Sequence, residues 1–326
     1  MDTPVVLSHQ TAWLFYHAPN RHEVLAGNLD YRIDEIGLTA HKIAERIRRF
    51  LQDCGVPASQ LQTLHILYAK DFMRTRSKSF RPHAFGALIG ESSVHELVPG
   101  LCVVCEELCF MQAATWMSRF ELIEFGYELC GRYELSIPSP HSASYRERMP
   151  LTSRKKIQAY VDEHPGIRGA KRAKSALVRV RDWARSPMET ATAMAVILNR
   201  SEGGLGFRGF DMNYRVEIPA ELRVLTTSTF LEIDLYAPRS KTGIEYDGEV
   251  HADAAQRARD AERLSTLRAM GVKVHVVTKR QFSEQLSFHR AMNAIARSLY
   301  LDIEPTPEFQ RAQNELRELL IRDWSA

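Results

Sequence analysis

The chain opens on an apolar run, Pro4–Val5–Val6–Leu7, followed by the polar cluster Ser8–His9–Gln10 and a second apolar run at Trp13–Leu14–Phe15, a rhythm that predicts strand then helix. From Leu38 to Leu51 the period lengthens. Ile43, Ile47 and Leu51 recur at i, i+4 and i+8 with Arg46, Arg48 and Arg49 elsewhere, which predicts an amphipathic helix. Leu64–His65–Ile66–Leu67–Tyr68 reads as a short buried strand. Glu106 to Tyr133 is apolar at helical spacing and fits two packed helices, broken near Ser118–Arg119 or at Gly126. Pro138–Ser139–Pro140–His141–Ser142 predicts a loop or linker, because a residue before proline is pushed out of the helical region. A basic helix is expected from Ser153 to Glu163, ended by His164–Pro165–Gly166, and a second from Gly169 to about Trp183.

The last third changes rhythm. Ser186–Pro187–Met188–Glu189 has the form of a capping box with proline at the first helical position, opening a helix to about Asn199 that Gly203–Gly204 ends. Tyr214–Ile218, Phe230–Leu235 and Gly243–Asp247 read as strands. Asp253 to Met270 is a long helix, with Gly271 as its C-cap before a strand at Val272–Val277. The expected fold class is therefore α/β, in two domains meeting near residue 150.

Composition narrows the class. With 44% apolar and 25% charged residues and no low-complexity segment, the 326-residue chain has the make-up of a globular protein. It contains no stretch of the roughly 18 uncharged apolar residues that a membrane-spanning helix needs, and Met1–Asp2–Thr3–Pro4 does not resemble an export signal, so a cytoplasmic location is expected. Five cysteines, an odd number, favour reduced thiols over a disulfide framework. The Cys102–Val103–Val104–Cys105 pair with Cys109 and Cys130 invites a zinc site, but these residues lie in an apolar run where cysteine behaves as a small core residue. The net charge of +3 is small, yet residues 154–185 hold ten Lys/Arg against three Asp/Glu. Lys171, Arg172, Lys174 and Arg179 are the nucleic-acid-binding candidates of that stretch, which otherwise forms two solvated helix faces.

The informative chemistry lies in Leu231–Glu232–Ile233–Asp234, Gly243–Ile244–Glu245–Tyr246–Asp247–Gly248, His251, and Asp260 with Arg263. Asp234 and Glu245 would bring two carboxylates to one edge of a sheet, and hard divalent cations prefer such oxygens. Residues 186–301 resemble the PD-(D/E)XK restriction-endonuclease-like superfamily, in particular small bacterial endonuclease-like domains and the very-short-patch mismatch-repair endonucleases. The matching pieces are an Asp at a strand end (Asp234), the "IEYDG" strand with a following His (Ile244–Gly248, His251), and a D-x-x-R-x-x-x-L helix before a glycine and a strand (Asp260, Arg263, Leu267, Gly271).

The resemblance implies a central mixed sheet flanked by helices and a Mg²⁺-dependent DNA endonuclease, with Mn²⁺ as an alternative metal. Asp234, Glu245 and Asp247 would be the metal set. Asp247 or His251 would serve as a further ligand or base, Glu189 would approach from the first helix, and Arg263 would face DNA. Metal-activated water would attack a phosphodiester with in-line departure of the 3′ oxygen. Phage defence and DNA repair are the implied settings. One departure is plain: the superfamily's Lys two residues after the second acid is here Asp247.

Other readings accompany these. Glu189 doubles as the box glutamate, Asp247–Gly248 is a turn dipeptide, His251 suits a helix cap, and Asp260–Arg263 suits a helical ion pair. The N-terminal half more loosely resembles domains preceding this module in other bacterial proteins, some related to antitoxins of abortive-infection type. The expected layout is a recognition or regulatory domain at 1–150, a basic helical connector at 151–185, the nuclease-like domain at 186–301 and a helical extension at 302–326. The alternative function is a catalytically inactive, antitoxin-like DNA-binding regulator. DNA is the expected partner, and the oligomeric state stays open, a homodimer being one arrangement.

Overall fold

Uninterrupted apolar runs suit strands covered on both faces, and the first half is built around one. A computed structural model describes residues 4–26, 33, 38–68, 78–84, 90–136, 143–226, 228–248, 254–321 and 324–325. Strand β1 (Val5–Leu7) leads into α1 (His9–Tyr16), then α2 (Arg21–Ala26) and α3 (Ala40–Asp53). After β2 (Leu64–Tyr68), β3 (Phe80–Ala84), β4 (Val94–Val98) and β5 (Leu101–Val104), the chain turns into α4 (Glu106–Ala113) and α5 (Arg119–Cys130). The five strands form a mixed sheet in the order β3-β2-β1-β5-β4, with β1 parallel to β5 and antiparallel to β2. The break between α4 and α5 falls at Ser118, which caps α5 in a complete box with Glu121.

Strands β6 (Tyr133–Leu135) and β7 (Ala143–Glu147) pair antiparallel, Tyr133 opposite Glu147, so the chain doubles back on itself around the expected linker Pro138–Ser142, which lies outside the described residues. Helices α6 (Arg154–Glu163) and α7 (Ala170–Leu177) follow and pack against α4, with α7 also on α5. Helix α7 is shorter than the sequence pattern suggests. Arg181 ends the run by giving its guanidinium to the carbonyls of Val178, Val180, Arg208 and Phe210.

The last third runs α8 (Pro187–Ile197), β8 (Asp211–Glu217), β9 (Phe230–Ala237), β10 (Thr242–Asp247), α9 (Ala254–Ala269) and β11 (Lys273–Thr278). These strands make a four-stranded mixed sheet in the order β11-β10-β9-β8, antiparallel except for the β10–β11 pair, flanked by helices. Gly271, at φ +75°, stops α9 where expected. Helix α8 ends at Ile197, two residues early, and Gly203–Gly204 instead close a 3₁₀ turn at Arg200–Glu202. Helices α10 (Lys279–Ser283), α11 (Gln285–Ser298) and α12 (Pro307–Leu320) complete the fold, and β12 (Trp324–Ser325) pairs with β7. The fold class is thus mixed α/β, as the sequence pattern predicts.

One buried cluster extends from Val5 on β1 through α4, α5, α7 and α8 to Leu320 on α12, and a smaller one gathers Ile218, Leu231, Ile233, Tyr236, Leu267 and Val272. Among the described residues no helix is long and apolar enough to cross a membrane.

Candidate functional site

Strand pairing decides where the acids sit. The ladder between β9 and β10 ends at the pair Leu235/Ile244, although β9 stays paired with β8 down to Phe230 and β10 with β11 out to Asp247. The sheet therefore forks. Asp234 and Glu245 are the first residues past the split, so an antiparallel register carried one step further sets them opposite each other on one face. Asp234 spans the gap, its Oδ2 accepting from the Tyr246 backbone N–H at 2.9 Å where a carbonyl would otherwise serve. Burial, with Glu245 beside it, lifts the Asp234 carboxyl to a pKa of about 6 despite that hydrogen bond and the nearby Arg263 and Arg185.

Arg263 does not simply close along its own helix onto Asp260. Its guanidinium reaches across from α9 and donates from both Nη atoms to the Glu245 carboxylate, Nη1 at 2.8 Å, while Nη2 also meets the Glu232 carbonyl at 2.6 Å. Asp260 adds to the negative field at Arg263. On the same face, Arg185 Nη1 bonds Glu232 at 2.8 Å.

Glu189 reaches this cluster from the first turn of α8. Ser186 caps the helix as expected, its Oγ accepting from the Glu189 N–H at 3.1 Å, but the reciprocal bond of a capping box, from the Ser186 backbone N–H to the glutamate, is not formed. Its Oε2 instead accepts from the Arg185 backbone N–H (2.9 Å) and from Asn213 Nδ2 (2.6 Å). The side chain is buried, and burial first, then the Asp234 charge, raises its pKa to about 7. A carboxyl that is half-protonated near neutral pH can give or take a proton during turnover.

No family model, curated protein or solved structure matches this chain. The chemistry rests on the geometry.

Of the other predicted residues, Asp247 ends β10 in an exposed position, paired in register with Thr278, and His251 lies outside the described residues. The basic stretch is mostly spent on the protein itself. Arg172 donates to the carbonyls of Ala114 (2.5 Å) and Met117 (2.7 Å), Lys174 pairs with Asp162 at 2.6 Å, and Arg179 is buried beside Glu202 at 3.9 Å. Lys171 is exposed. The reason is physical: α6 and α7 pack on α4 and α5, so their cations fall over orphan helix carbonyls and neighbouring acids. All five cysteines are buried, and burial lifts the thiols of Cys54 and Cys105 to about 12 and that of Cys109 well above its ordinary value. Among the described residues no group of three or more His, Cys, Asp or Glu is arranged to hold a metal ion.

Sequence reasoning missed a histidine pocket in the N-terminal sheet. His9, in the left-handed region at φ +48°, stacks on His83 with ring centroids 3.6 Å apart, and His65 Nδ1 lies 2.9 Å from His83 Nε2. Gln112 accepts the His9 N–H at 2.8 Å, and Arg81, Arg168 and Trp116 help line a cavity of about 780 Å³. The signal, histidines in short apolar strands, is indistinct without the pairing of β2 with β3. Burial, then the mutual repulsion of the cluster, pushes His9 down to about 3 and His65 to about 4. Both are neutral in the folded protein and charge in the unfolded chain as pH falls through about 6.5. Stability is therefore expected to fall between pH 7 and pH 4, by on the order of 5 °C in Tm from this cluster. A His9→Asn/His65→Asn variant, followed by thermal melts across that range, should show a shallower decline. An equally steep one would assign the acid sensitivity elsewhere.

Proposed function

We propose that the chain is a Mg²⁺-dependent DNA endonuclease, with Mn²⁺ able to replace Mg²⁺, in which the fork at Asp234 and Glu245 hydrolyses phosphodiester bonds. The observation that carries this reading is an imbalance of charge. Four acids, Glu189, Glu232, Asp234 and Glu245, gather here; Arg185 and Arg263 hydrogen-bond Glu232 and Glu245, with Arg132 and Arg215 also acting on Glu232, whereas among the described residues no guanidinium is hydrogen-bonded to Glu189 or Asp234. The raised pKa values of Asp234 and Glu189 are how the protein alone bears that excess. A divalent cation between Asp234 and Glu245 would relieve it.

The donor set fits the group. Mg²⁺ is held by one or two carboxylates, with water and phosphate oxygens completing its shell, so Asp234 and Glu245 suffice without a third protein ligand. When bound, such an ion polarises a phosphoryl oxygen and lowers the pKa of its water. Arg263 would exchange its grip on Glu245 for a phosphate oxygen, supplying the positive charge that Asp247 cannot supply in the superfamily's lysine position. Glu189 would hold or move a proton at its Oε atoms. A mixed sheet flanked by helices, which the PD-(D/E)XK resemblance implies, supports the reading.

A second reading draws on one observation. Arg263 engages both oxygens of Glu245, which suits a catalytically silent DNA-binding regulator whose old metal position is filled by a guanidinium. The two are separated by incubating plasmid and single-stranded DNA with Mg²⁺ or Mn²⁺, against EDTA and an Asp234→Ala/Glu245→Ala variant. Metal-dependent nicking that drops at least about a thousandfold in the variant is expected. No cleavage by either protein, with salt-sensitive DNA binding intact in both, would favour the regulator.

A further inference from the structure

A groove of about 1230 Å³ runs along the free edge of β8, bordered by the segment around Trp183, by Arg208 and Arg239, and by Tyr300 just past α11. Its aromatic rings are presented to solvent: Trp183 is 51% exposed and Tyr300 74%. Arg208 and Arg239 are exposed as well. Three groove residues, Trp183, Asn213 and Tyr300, have left-handed backbone conformations at φ +77°, +44° and +58°, which side chains other than glycine adopt at a cost.

The cost is informative at Tyr300. The same position after α9 is filled by Gly271 at φ +75°, the inexpensive choice, whereas after α11 the chain keeps a large aromatic there, its ring largely exposed with Lys273 Nζ 5.5 Å from its centroid. Trp183 is held similarly. Its N–H donates to Cys130 O at 3.0 Å, and its carbonyl accepts from Asn213 Nδ2 at 2.9 Å, the same nitrogen that donates to Glu189. Two residues that line the groove connect it to the fork: Asn213, whose Nδ2 donates to Glu189, and Arg215, which pairs in register with Glu232.

We propose that this groove binds single-stranded DNA and leads it into the acid fork, with bases stacking on Trp183 and Tyr300 and phosphates meeting Arg208 and Arg239. The proposal rests on the nuclease reading for its orientation, and it names the form of DNA which that site takes. Every base offers a stackable face, so isolated exposed rings beside cations suit a strand read without sequence preference. A duplex, whose faces are stacked internally, cannot use them.

The test is fluorescence anisotropy of a labelled 20-mer oligothymidylate, the matching duplex and an oligouridylate, in EDTA so that cleavage plays no part. The single DNA strand is expected to bind at least about tenfold more tightly than the duplex. Trp183→Ala and Tyr300→Ala should each weaken it about tenfold, and Trp183→Phe should restore most of the loss. Arg208→Ala/Arg239→Ala should lower the salt slope by about 1.4 in log–log terms. Asp234→Ala/Glu245→Ala should bind like the parent protein, so a protein that binds but never cuts would fail the nuclease reading and keep the groove. Equal binding by parent and both aromatic variants, each checked by its melting curve, or a preference for duplex or for RNA, would overturn the proposal.

Discussion

Glutamine at position 189 is expected to stabilise the protein at pH 8 by about 3 kcal/mol, the equivalent of moving a carboxyl pKa from 4.5 to about 7, or roughly 4–5 °C in Tm. The sign follows from linkage. The unfolded chain releases the Glu189 proton near pH 4.5, while the folded protein holds it until about 7. Below pH 4.5 both states are protonated and the residue costs nothing. The cost grows between those values and is complete above 7, so the benefit of Glu189→Gln should vanish towards pH 4.5. The bonds from the Arg185 N–H and from Asn213 Nδ2 both fall on Oε2, so a single amide oxygen can accept them. Melts of both proteins from pH 4.5 to 8.5 check the slope, and parallel curves would show Glu189 to be ionised at ordinary pH. Cleavage should fall about a hundredfold or more in the same variant. A gain in stability coupled to a loss of turnover is the mark of a group retained for work at the expense of the fold.

The second large effect is expected at Arg263. Replacing it by methionine leaves Glu245 half-buried without its partner and should cost about 2 kcal/mol in metal-free buffer, allowing for the partial exposure of the pair. Adding Mg²⁺ at a hundred times its dissociation constant should return about 2.7 kcal/mol. The parent protein should respond less, because there the ion competes with the guanidinium. Thermal melts with and without Mg²⁺ measure both shifts. A variant that stays destabilised whatever the Mg²⁺ concentration would mean that Asp234 and Glu245 do not hold the ion, and the regulator would become the better account.

Much of the second sheet is legible in the residues because its signals are local. Ser186 and Pro187 mark the start of α8, alternation marks β9, and Gly271 punctuates α9 and β11. Strand β8 begins at Asp211 and not Tyr214 because Asn213, in a left-handed conformation, breaks the alternation from inside the strand. Strands β3, β4, β6 and β7 escape a reading by pattern. All four are only three to five residues long, β3 and β4 are largely exposed, and their pairing partners are what make them strands. The acids of the site are visible for what they are, but their partners are not. Spacing puts Asp260 nearest Arg263, yet the sheet delivers Glu245 to the same guanidinium, and an interaction 18 residues apart leaves no trace in helical periodicity. The internal pairing of the basic stretch has the same origin. Counting cations between Arg154 and Arg185 ignores that Arg172, Lys174 and Arg179 find carbonyls and acids once α7 is packed, while the exposed Arg208 and Arg239 are scattered in sequence and gathered only by the fold.

Helix α12 sits so close to the turn beneath α8 that a single methyl group on Gly203 would lie 2.3 Å from the Ala312 carbonyl oxygen. Its Phe309, Leu316 and Leu320 are buried, and Arg317 ties it to the carbonyls of Phe282 and Ser283. A ribosome releases residues 307–320 after everything they brace, so the support under α8 and Glu189 is completed late in synthesis. A nascent chain that has not yet emerged past residue 307 lacks this contact, so the packing of α8 and of the turn at Gly203 is completed only when α12 folds back onto them.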